Sequence, residues 1–523
     1  MTELQAIERI VKQVQAWCGL NGLMYTDGKL NWSHAPVSLL PNPFPRKAFK
    51  HCNEVQPIIN DLVDKMSRDR AFLLDTLAST GRADPFTQRL MDIYAKVPEQ
   101  TIAKGLQLGI LRSDYMLNTG VEAELTRRGG ESANFPLQIE INTIAASFGC
   151  LSHKTANLHR HILSRNADRD EIVALLHEAK IEESLVQQGA SEIAKAVPEN
   201  PSLQSLAASL AHAHKMVQSK LDTSAPVVIL FIVQPNERNI ADQRALESEL
   251  WTTHQVKVEF MTLVQVAAHG RLISNAESGW ENMLVVRPGM GAEEVAVSGG
   301  PRIAGEYAVS IVYYRAGYSP DDYSTETEWS ARELMETSSA IKCPTVGYQL
   351  CGTKKIQQVL CLDGIMERFI SVQNATYMRQ FFAAQYAMGT KASEDGLRAM
   401  ESAILDGSKW VLKPQREGGG NNMYGATLSK YLNEHREDPA LGGYVLMQRI
   451  FPQNNTTLFL RKGEVVIMPS ISELGIYGTF IGDGTNTYKN DYAGYLLRTK
   501  QSGVDEGGVA TGFSVLNSIM LHD

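Results

Sequence analysis

Residues 410–422 read WVLKPQREGGGNN and combine charged side chains with three glycines in a row. Glycine adopts backbone conformations that let successive N–H groups turn inward around an anion, and a polyphosphate suits such a turn. Lys413 ends a strand-like run and can reach a phosphate, while Glu417 can hold a cation against it. The P-loop and protein-kinase glycine motifs are absent here. The stretch therefore indicates a nucleotide site of a third type, with a flexible surface loop as the alternative.

The segment QIEIN at 138–142 is the second stretch whose residue types suit chemistry. Polar and apolar residues alternate along it, which is the period of a strand, so Glu140 and Asn142 share one face. Two oxygen ligands on one face suit Mg²⁺, which completes its shell with phosphate and water. The alternative is a solvated strand face, which the pattern alone favours.

Further polar groups follow strand-like runs in the middle of the chain. Asn239 and Gln243, in NERNIADQR, can bind amide or carbonyl groups, and Arg315, in RAGY, can pair with a carboxylate. Loops at the carboxyl ends of parallel strands are where such sheets bind ligands. The alternative, a solvated helix start with ordinary ion pairs, applies to Glu237, Arg238 and Arg244.

Two motifs with basic residues lead to opposite expectations. In LLRTK, Arg498 and Lys500 are two apart and can face one ligand from a strand. In HKTANLHRHI, the histidines are His153, His159 and His161. We predict a helix surface for these histidines, because positions two apart on a helix do not converge on one metal.

The elements that must hold these residues change in character along the chain. Residues 1–130 have mainly helical spacing. From about residue 224, strand-like and helix-like segments alternate, beginning with the apolar run PVVILFIV at 226–233, which is typical of a buried strand. This alternation predicts a small parallel-sheet domain. The remainder carries the glycine-rich stretch and several strands.

Composition narrows the class of protein. The 523 residues are 43% hydrophobic and 21% charged, as in soluble globular proteins of two or three domains. A net charge of -8 argues against nucleic-acid binding. No secretory signal is expected, and the most apolar run is too short to span a membrane. The six cysteines form no CxxC pair, which favours a reducing, cytoplasmic location.

Several motifs together resemble the eukaryotic-type glutathione synthetase family, in order from about residue 111 onward. They are LRSDYM, QIEINTIAASFG, NERNIADQRALE, GTKKIQQ, KPQREGGGNNMYG, SELGIYG, LLRTK and GGVATGFSVL. The resemblance implies an α/β (α+β) chain with a permuted ATP-grasp fold, a glycine-rich lid and an inserted parallel-sheet substrate-binding domain. The implied domains are 1–222, 223–340 and 341–523. It also implies a cytoplasmic homodimer that uses ATP and Mg²⁺ to join γ-glutamylcysteine to glycine.

Carried over motif by motif, the resemblance implies a role for each matching residue. The implied magnesium ligands are Glu140, Asn142 and Glu417. The implied ATP-binding residues are Lys354, Lys413, Glu417, Gly418, Gly419, Gly420, Asn422, Tyr424, Met447, Gln448, Arg449, Ile450, Glu473, Lys500 and Glu506. The implied substrate-binding residues are Arg112, Ser147, Glu237, Arg238, Asn239, Gln243, Arg315, Gly317, Tyr318, Arg498, Val509 and Ala510. Arg112 and Arg498 are also the implied catalytic residues.

The chain departs from the family pattern at a few positions. Ala145 stands where many relatives have Ser, Ala316 replaces an Asp, and Gln448 and Arg449 replace a Glu-Lys pair. Thr511 replaces an alanine in the loop expected to meet the acceptor amine. A ligase specific for glycine is the first hypothesis for the function. The two alternatives are an ATP-dependent amide ligase with another acceptor, and a catalytically silent nucleotide- or thiol-binding protein.

Overall fold

A computed structural model describes residues 3–28, 31–119, 134–181, 186–187, 189–219, 226–275, 280–287, 305–389, 392–415, 421–505, 507–509 and 512–523. Helices and strands alternate through these ranges, so the fold is of mixed α+β type. The helices are α1 (Glu3–Asn21), α2 (Arg46–Arg68), α3 (Arg70–Ala83), α4 (Pro85–Lys96), α5 (Glu99–Lys104), α6 (Gly149–Arg165), α7 (Asp170–Glu178), α8 (Ala190–Ala196), α9 (Ser202–Gln218), α10 (Ile240–His254), α11 (Leu263–His269), α12 (Glu326–Thr337), α13 (Val346–Cys351), α14 (Lys354–Leu360), α15 (Val372–Arg379), α16 (Glu394–Leu405) and α17 (Gly425–Glu434).

The strands form a main sheet, a mixed sheet, a small sheet and two short pairings. They are β1 (Met24–Thr26), β2 (Trp32–His34), β3 (Val37–Ser38), β4 (Asn42–Pro45), β5 (Gln107–Asn118), β6 (Phe135–Asn142), β7 (Val227–Ile232), β8 (Val258–Met261), β9 (Gly270–Asn275), β10 (Trp280–Val286), β11 (Tyr307–Tyr314), β12 (Ile341–Cys343), β13 (Gln385–Ala387), β14 (Trp410–Pro414), β15 (Met423–Tyr424), β16 (Tyr444–Gln448), β17 (Asn455–Arg461), β18 (Glu464–Gly482), β19 (Thr487–Gln501), β20 (Ser514–Asn517) and β21 (Ile519–His522).

The main sheet has the strand order β17-β3-β20-β19-β18-β5-β6 and is antiparallel except between β20 and β3. Its register sets Arg112 on β5 opposite Asn142 on β6, and Glu473 on β18 opposite Arg498 on β19. Charged residues that are far apart in sequence therefore come together on neighbouring strands.

Strand β5 lies inside the region 1–130, for which the sequence predicts mainly helix. That prediction is correct for α1 to α5 and wrong for β5. The side chains of β5 from Gln107 to Tyr115 are all buried. A strand buried on both faces has no alternation of polar and apolar residues, so its period is invisible in the sequence.

The mixed sheet has the order β8-β7-β11-β10-β9, with β12 also paired to β11. The prediction of a parallel sheet is correct for β7, β8, β11 and β12. It is wrong for β10, which pairs antiparallel with both β11 and β9. The link between β9 and β10 is too short for the crossover that parallel neighbours need. Through β12 this sheet reaches Cys343, and the domain boundaries at 222 and 340 stay predictions.

Residues 228–232 of the run at 226–233 are buried on both faces of the mixed sheet, as their apolar character indicates. Ile229 and Phe231 belong to the main hydrophobic core, together with α6 and α9 residues. Val228 and Leu230 belong to a separate cluster under α11 and α12. The sheet thus packs between two helical layers, and its strand ends are left to form a ligand site.

The small sheet, β13-β16-β14-β15, is antiparallel and has its own core against α16 and α17. Trp410, Leu412 and Leu446 belong to that core. Lys413 lies on β14 and Tyr424 on β15, so the residues on both sides of the glycine-rich stretch are placed by this sheet. Residues 416–420 themselves lie outside the described residues.

The histidine cluster on α6 differs from its prediction at one position. His159 is fully buried, and its two ring nitrogens contact the Ser518 hydroxyl at 2.7 Å and the Ser38 carbonyl at 2.9 Å. The surface prediction rests on the spacing of the histidines, which does not converge on one metal. That spacing does not reveal which face of α6 packs under the main sheet, because this depends on distant strands.

None of the helices that the structure describes is both long enough and apolar enough to cross a lipid bilayer.

Candidate active site

A cavity of about 520 Å³ opens where the main, mixed and small sheets meet. Strands β5, β6, β18 and β19 supply one wall, the loops after β7 and β11 a second, and β14 to β16 a third. Twenty of the predicted site residues line this cavity: Arg112, Glu140, Asn142, Ser147, Glu237, Asn239, Arg315, Tyr318, Lys354, Lys413, Asn422, Tyr424, Met447, Gln448, Arg449, Ile450, Glu473, Arg498, Lys500 and Val509.

Asp114 organises the charges on the β5 wall of the cavity. Its carboxylate is fully buried and accepts two hydrogen bonds from Arg112, at 2.7 and 2.8 Å. The same carboxylate accepts from Arg498 at 3.0 Å and from the amide of Asn142 at 2.9 Å. One side chain therefore orients both predicted catalytic arginines and one predicted metal ligand.

The two arginines differ in how well their charge is compensated. Burial opposes the charged form of Arg112, but Asp114 outweighs it, and the pKa of Arg112 is raised above its usual range. Burial also lowers the pKa of Arg498, and here the opposing effect of Asp114 is not enough. Glu473 contacts Arg498 from β18. Both guanidinium groups remain charged, and Arg498 has two carboxylate partners, Asp114 and Glu473.

Glu140 lies on the same wall, paired with Asp114 across β5 and β6, and is close to two lysines. Its carboxylate accepts from Lys354 at 2.7 Å, and the Lys413 ammonium donates to the neighbouring Ile139 carbonyl at 2.9 Å. Burial alone would raise the pKa of Glu140, but Lys354, Lys413 and Arg498 together hold it well below its usual range. Glu140 is therefore a carboxylate at any physiological pH.

The donor set at Glu140 and Asn142 fits Mg²⁺. The amide nitrogen of Asn142 donates to Asp114 and to the Arg112 carbonyl, so the amide oxygen is the atom that a cation can meet. A carboxylate and an amide oxygen are ligands that Mg²⁺ accepts, with phosphate oxygens and water for the rest. Within the described ranges no cluster of three His, Cys, Asp or Glu suggests a metal centre built from protein alone.

The third wall carries aromatic and apolar groups beside fixed charges. Arg449 donates to Asp505 at 2.7 Å and lies over the Tyr424 ring, 5.3 Å from its centre. Lys500 donates to the Asp505 carbonyl at 2.6 Å. Met447 is buried behind these groups. A flat base and its phosphates can meet apolar surface and ammonium groups here at the same time.

Hydrogen bonds hold the loop after β7. The Glu237 carboxylate accepts from the Asn239 backbone N–H and from the Gln243 amide, both at 2.7 Å. The side-chain amide of Asn239 is buried and, among the described residues, neither its oxygen nor its nitrogen has a partner. Since Asn239 lines the cavity, its amide is placed to bind a polar ligand.

Asp242 fixes the loop that links β6 to α6. Its buried carboxylate accepts from the backbone N–H groups of Phe148, Cys150 and Leu151, at 2.9 to 3.1 Å. It also accepts from Arg315 at 3.0 Å. A residue of α10 thus caps the start of α6 and holds a predicted substrate-binding arginine.

The same loop has unusual backbone geometry. Ala145 and Phe148 adopt left-handed conformations, with φ of 50° and 71°, which side chains other than glycine seldom take. Between them, the Ser147 carbonyl accepts from the Tyr477 hydroxyl at 2.6 Å. This strained turn aims the loop into the cavity, and the contacts of Asp242 and Tyr477 maintain it.

Three predicted residues do not line the cavity. Arg238 is exposed, and its carbonyl accepts from the Thr26 N–H at 3.2 Å. Gln243 lies behind Glu237 and donates a hydrogen bond to its carboxylate. Gly317, at φ of 88°, forms the turn after β11, where a side chain would be strained.

Some predicted residues lie outside the described residues. They are Glu417, Gly418, Gly419, Gly420, Glu506 and Ala510, together with Thr511.

The sequence interpretation missed Asp114, Asp242 and Asp505. Asp114 had a local signal, because it is two residues from Arg112 in LRSDYM and shares its face on a strand. Asp242 had none, since its partners lie far away in the sequence, and the carboxylate of Asp505 binds Arg449, which is 56 residues away.

Comparison with known proteins agrees with the motifs. The sequence profile described as "Eukaryotic glutathione synthase, ATP binding domain" matches residues 4–521. The chain belongs to the eukaryotic glutathione synthase family. This membership accounts for a cavity that combines lysines, arginines and carboxylates.

Relatives in this family are similar over almost their whole length. A chloroplastic glutathione synthetase of Solanum lycopersicum is 37% identical, over 98% of this chain and 84% of the relative. The glutathione synthetase of Dictyostelium discoideum is 34% identical, over 97% of both chains. That of Mus musculus is 36% identical, over 93% of this chain and 90% of the relative.

A solved structure has the same fold. It is a glutathione synthetase-like effector from Globodera pallida in its apo form, with a TM-score of 0.70 at 19% identity. The match covers 99% of this chain and 97% of that one.

Proposed function

We propose that this chain is a glutathione synthetase, which joins γ-glutamylcysteine to glycine at the expense of ATP. One observation carries the proposal. In a member of this family, the cationic side chains of Arg112, Arg498, Lys354, Lys413 and Lys500 all line one cavity of about 520 Å³. Such a cluster suits a reaction whose donors, acceptors and intermediates are phosphates and carboxylates.

The reaction needs two displacements. The cysteinyl carboxylate of the dipeptide attacks the γ-phosphorus of ATP, the bond to ADP breaks, and an acyl phosphate forms. The glycine amine then attacks the acyl carbon, loses a proton as the C–N bond forms, and phosphate leaves. Phosphoryl transfer depends mainly on positioning and on neutralising charge. Lys354 and Lys413 supply that charge beside Glu140, and Lys500 supplies it from β19.

The arginines suit the second displacement. Arg112 and Arg498 are held by Asp114, so their positions do not depend on the substrate. Preorganised donors of this kind stabilise the negative charge of an acyl phosphate and of the tetrahedral intermediate. Both arginines line the cavity, so both are placed to contact that anion.

Magnesium would be held by Glu140 and Asn142, with Glu417 from the glycine-rich segment. When bound, it would neutralise charge on the phosphates of ATP. Asp114 orients Asn142 for this role, and Lys354 keeps Glu140 ionised.

The dipeptide and acceptor ends of the cavity are also part of the proposal. Arg315, Asn239, Glu237, Ser147 and Tyr318 would bind the dipeptide. Gln243 would act through Glu237, and Val509, Ala510 and the neighbouring loop would meet glycine. Met447, Gln448, Arg449 and Ile450 would surround the adenine.

The finer architecture is part of this proposal as well. We propose the permuted ATP-grasp arrangement, with residues 416–420 as the lid that closes over the phosphates and excludes water. We also propose a homodimer in the cytoplasm, which size-exclusion chromatography with light scattering and fractionation of the source cells would test. Some plant relatives are named chloroplastic, so the compartment needs its own experiment.

The test of the activity is phosphate release from ATP with γ-glutamylcysteine, with mass detection of the product. Glycine, β-alanine, serine and a polyamine serve as parallel acceptors. We expect glutathione and a strong preference for glycine. Preference for another amine would support the ATP chemistry and contradict the assignment of glycine as the acceptor at the loop around Val509. Absence of phosphate release would leave a nucleotide- or thiol-binding protein.

Adjacent lysines provide a matched control. Lys354 contacts Glu140 in the cavity, whereas the Lys355 ammonium contacts Gln358 at 2.8 Å and does not line the cavity. Lys354→Ala should reduce kcat/KM by about 10²-fold or more, and Lys355→Ala should change it little. Equal losses in both variants would assign the effect to helix α14 rather than to phosphate binding.

A further inference from the structure

A second, smaller cavity of about 30 Å³ lies behind the candidate active site. It shares Asn142, Ile144, Tyr318 and Lys354 with the main cavity. Its remaining walls come from α4, from α13 and the start of α14, and from the end of β14. It therefore occupies a junction of the three sheets with the helix that carries Lys354.

Three buried side chains of this cavity contain a polar atom with no partner among the described residues. These atoms are the Thr143 hydroxyl oxygen, the Gln349 amide oxygen and the Gln415 amide nitrogen. The residues are only 2%, 6% and 8% exposed. Buried polar atoms are almost always hydrogen-bonded to protein or to ordered water. Three exceptions around one cavity indicate a common ligand.

In each of the two glutamine amides, one polar atom is already hydrogen-bonded to the backbone, which leaves the other atom for the cavity. The Gln415 oxygen accepts from the Lys355 backbone N–H at 3.1 Å, so its nitrogen remains. The Gln349 nitrogen donates to the Gly317 carbonyl at 3.0 Å, so its oxygen remains. The cavity thus presents one donor, one acceptor and one hydroxyl that can be either.

This combination distinguishes between kinds of ligand. A metal cation would be repelled by the Gln415 NH₂ group, and an anion by the Gln349 oxygen. Water both donates and accepts, needs two to four polar partners, and fits a cavity of this size. We propose that the cavity holds one or two ordered waters that join Thr143, Gln349 and Gln415.

Such water would act as a positioning element of the proposed ligase. Gln415 is the last described residue before the segment 416–420, and its oxygen binds the N–H of Lys355, next to Lys354. Thr143 directly follows Asn142. The water connects the base of the glycine-rich segment to the metal-binding strand and to the phosphate-binding lysine. This functional part rests on the proposed activity, whereas the presence of the water does not.

The experiment uses the full chain and a matched pair, Thr143→Ser and Thr143→Val. Serine keeps the hydroxyl, and valine keeps the shape without it. A crystal structure at a resolution that shows buried water should place water within hydrogen-bond distance of Gln349 and Gln415 in the wild-type protein and in T143S. T143V should lose a water or displace it. A dry cavity in the wild-type protein overturns the proposal even if the enzyme is active.

Kinetics test the positioning role. T143S should stay within about twofold of the wild-type KM for ATP, while T143V should raise it about tenfold, with a smaller change in kcat. A merely structural defect would lower the amount of folded enzyme and leave KM unchanged. Equal KM values in T143S and T143V would overturn the positioning role. Thermal unfolding establishes that both variants fold, and if T143V does not, the wild-type crystal structure decides.

Discussion

The main sheet and the mixed sheet supply site residues in different ways. On the main sheet, Arg112, Glu140 and Arg498 project directly from strands, and the strand register places them. On the mixed sheet, Asn239 and Arg315 lie in loops beyond the strand ends. Strand register places the first group, and Asp114 then orients both arginines. The second group depends on carboxylates in and beside its loops, Glu237 and Asp242. The proposed chemistry thus lies on residues placed by strand register, and the proposed dipeptide recognition on residues in loops.

The largest expected effect is the loss of stability on the mixed-sheet side when Asp242 is replaced. Replacing it with alanine leaves Arg315 buried without its partner and removes the acceptor for three N–H groups at the start of α6. We expect a loss of about 3–5 kcal/mol in the free energy of unfolding, measured by urea denaturation. Asp242→Asn should lie between alanine and wild type. A loss below 1 kcal/mol for D242A would mean that the mixed-sheet side does not depend on this carboxylate.

On the main sheet the corresponding change should affect rate rather than folding. Arg498→Ala should lower kcat by about 10²–10³-fold, because it removes a preorganised donor to the anionic intermediate. Arg498→Lys should recover only part of the rate, since lysine lacks the planar fork. Steady-state kinetics with saturating substrates measure this. A normal kcat with a raised KM for the dipeptide would reassign Arg498 to ground-state binding.

Each of the two sheets packs against a helix that contains a buried histidine. Burial lowers the pKa of His159, under the main sheet, to about 4, below the usual value of about 6.5. Burial also lowers the pKa of His214, which contacts Ser310 on β11 of the mixed sheet. Burial favours the neutral form of both in the fold, so their contribution to stability is present above about pH 6.5 and declines as the pH falls below it. For His159, most of that contribution is lost by about pH 4.

Comparing wild type with His159→Gln by denaturation at pH 7 and pH 4 isolates this effect. The stability difference between the two proteins should shift by about 3 kcal/mol in favour of the variant at the lower pH. The matching change for His214→Gln should have the same sign. A pH-independent difference for His159→Gln would show that this histidine titrates normally in the fold.

The smallest expected effect concerns the strained loop between the two regions. Ala145→Ser introduces the hydroxyl that the family resemblance leads us to expect at this position. One added hydrogen bond should lower the KM for γ-glutamylcysteine about threefold without changing the KM for ATP. Competition between wild type and variant for limiting dipeptide would resolve so small a change. A parallel change in both KM values would place the hydroxyl outside dipeptide binding.

The sequence was most informative where the placement of a residue depends on its neighbours in the chain. The alternation in QIEIN predicted a strand face with Glu140 and Asn142, and the structure places both in the cavity. The run at 226–233 predicted a buried strand, which β7 confirms. Lys413 and Tyr424 also line the cavity, on either side of the stretch that first suggested a nucleotide.

The sequence was least informative where placement depends on distant partners. The direction of β9 and β10 follows from a short link, but the end of each strand has to be known first. The burial of His159 depends on Ser38 and Ser518, which no pattern around α6 reveals. Asp242 shows no sign of its role because its three N–H donors belong to another element.

The pairing of β4 with β21 has a consequence for biosynthesis. Asn42 lies opposite Ile519, so this contact waits until 477 further residues have been translated. At 5–20 residues per second, that interval is roughly 25–95 s. For most of it, β3 and β4 are on the nascent chain without their partners β17, β20 and β21, and β19 with Arg498 arrives only near the end. We therefore expect the ribosome-bound chain to bind chaperones before it becomes active.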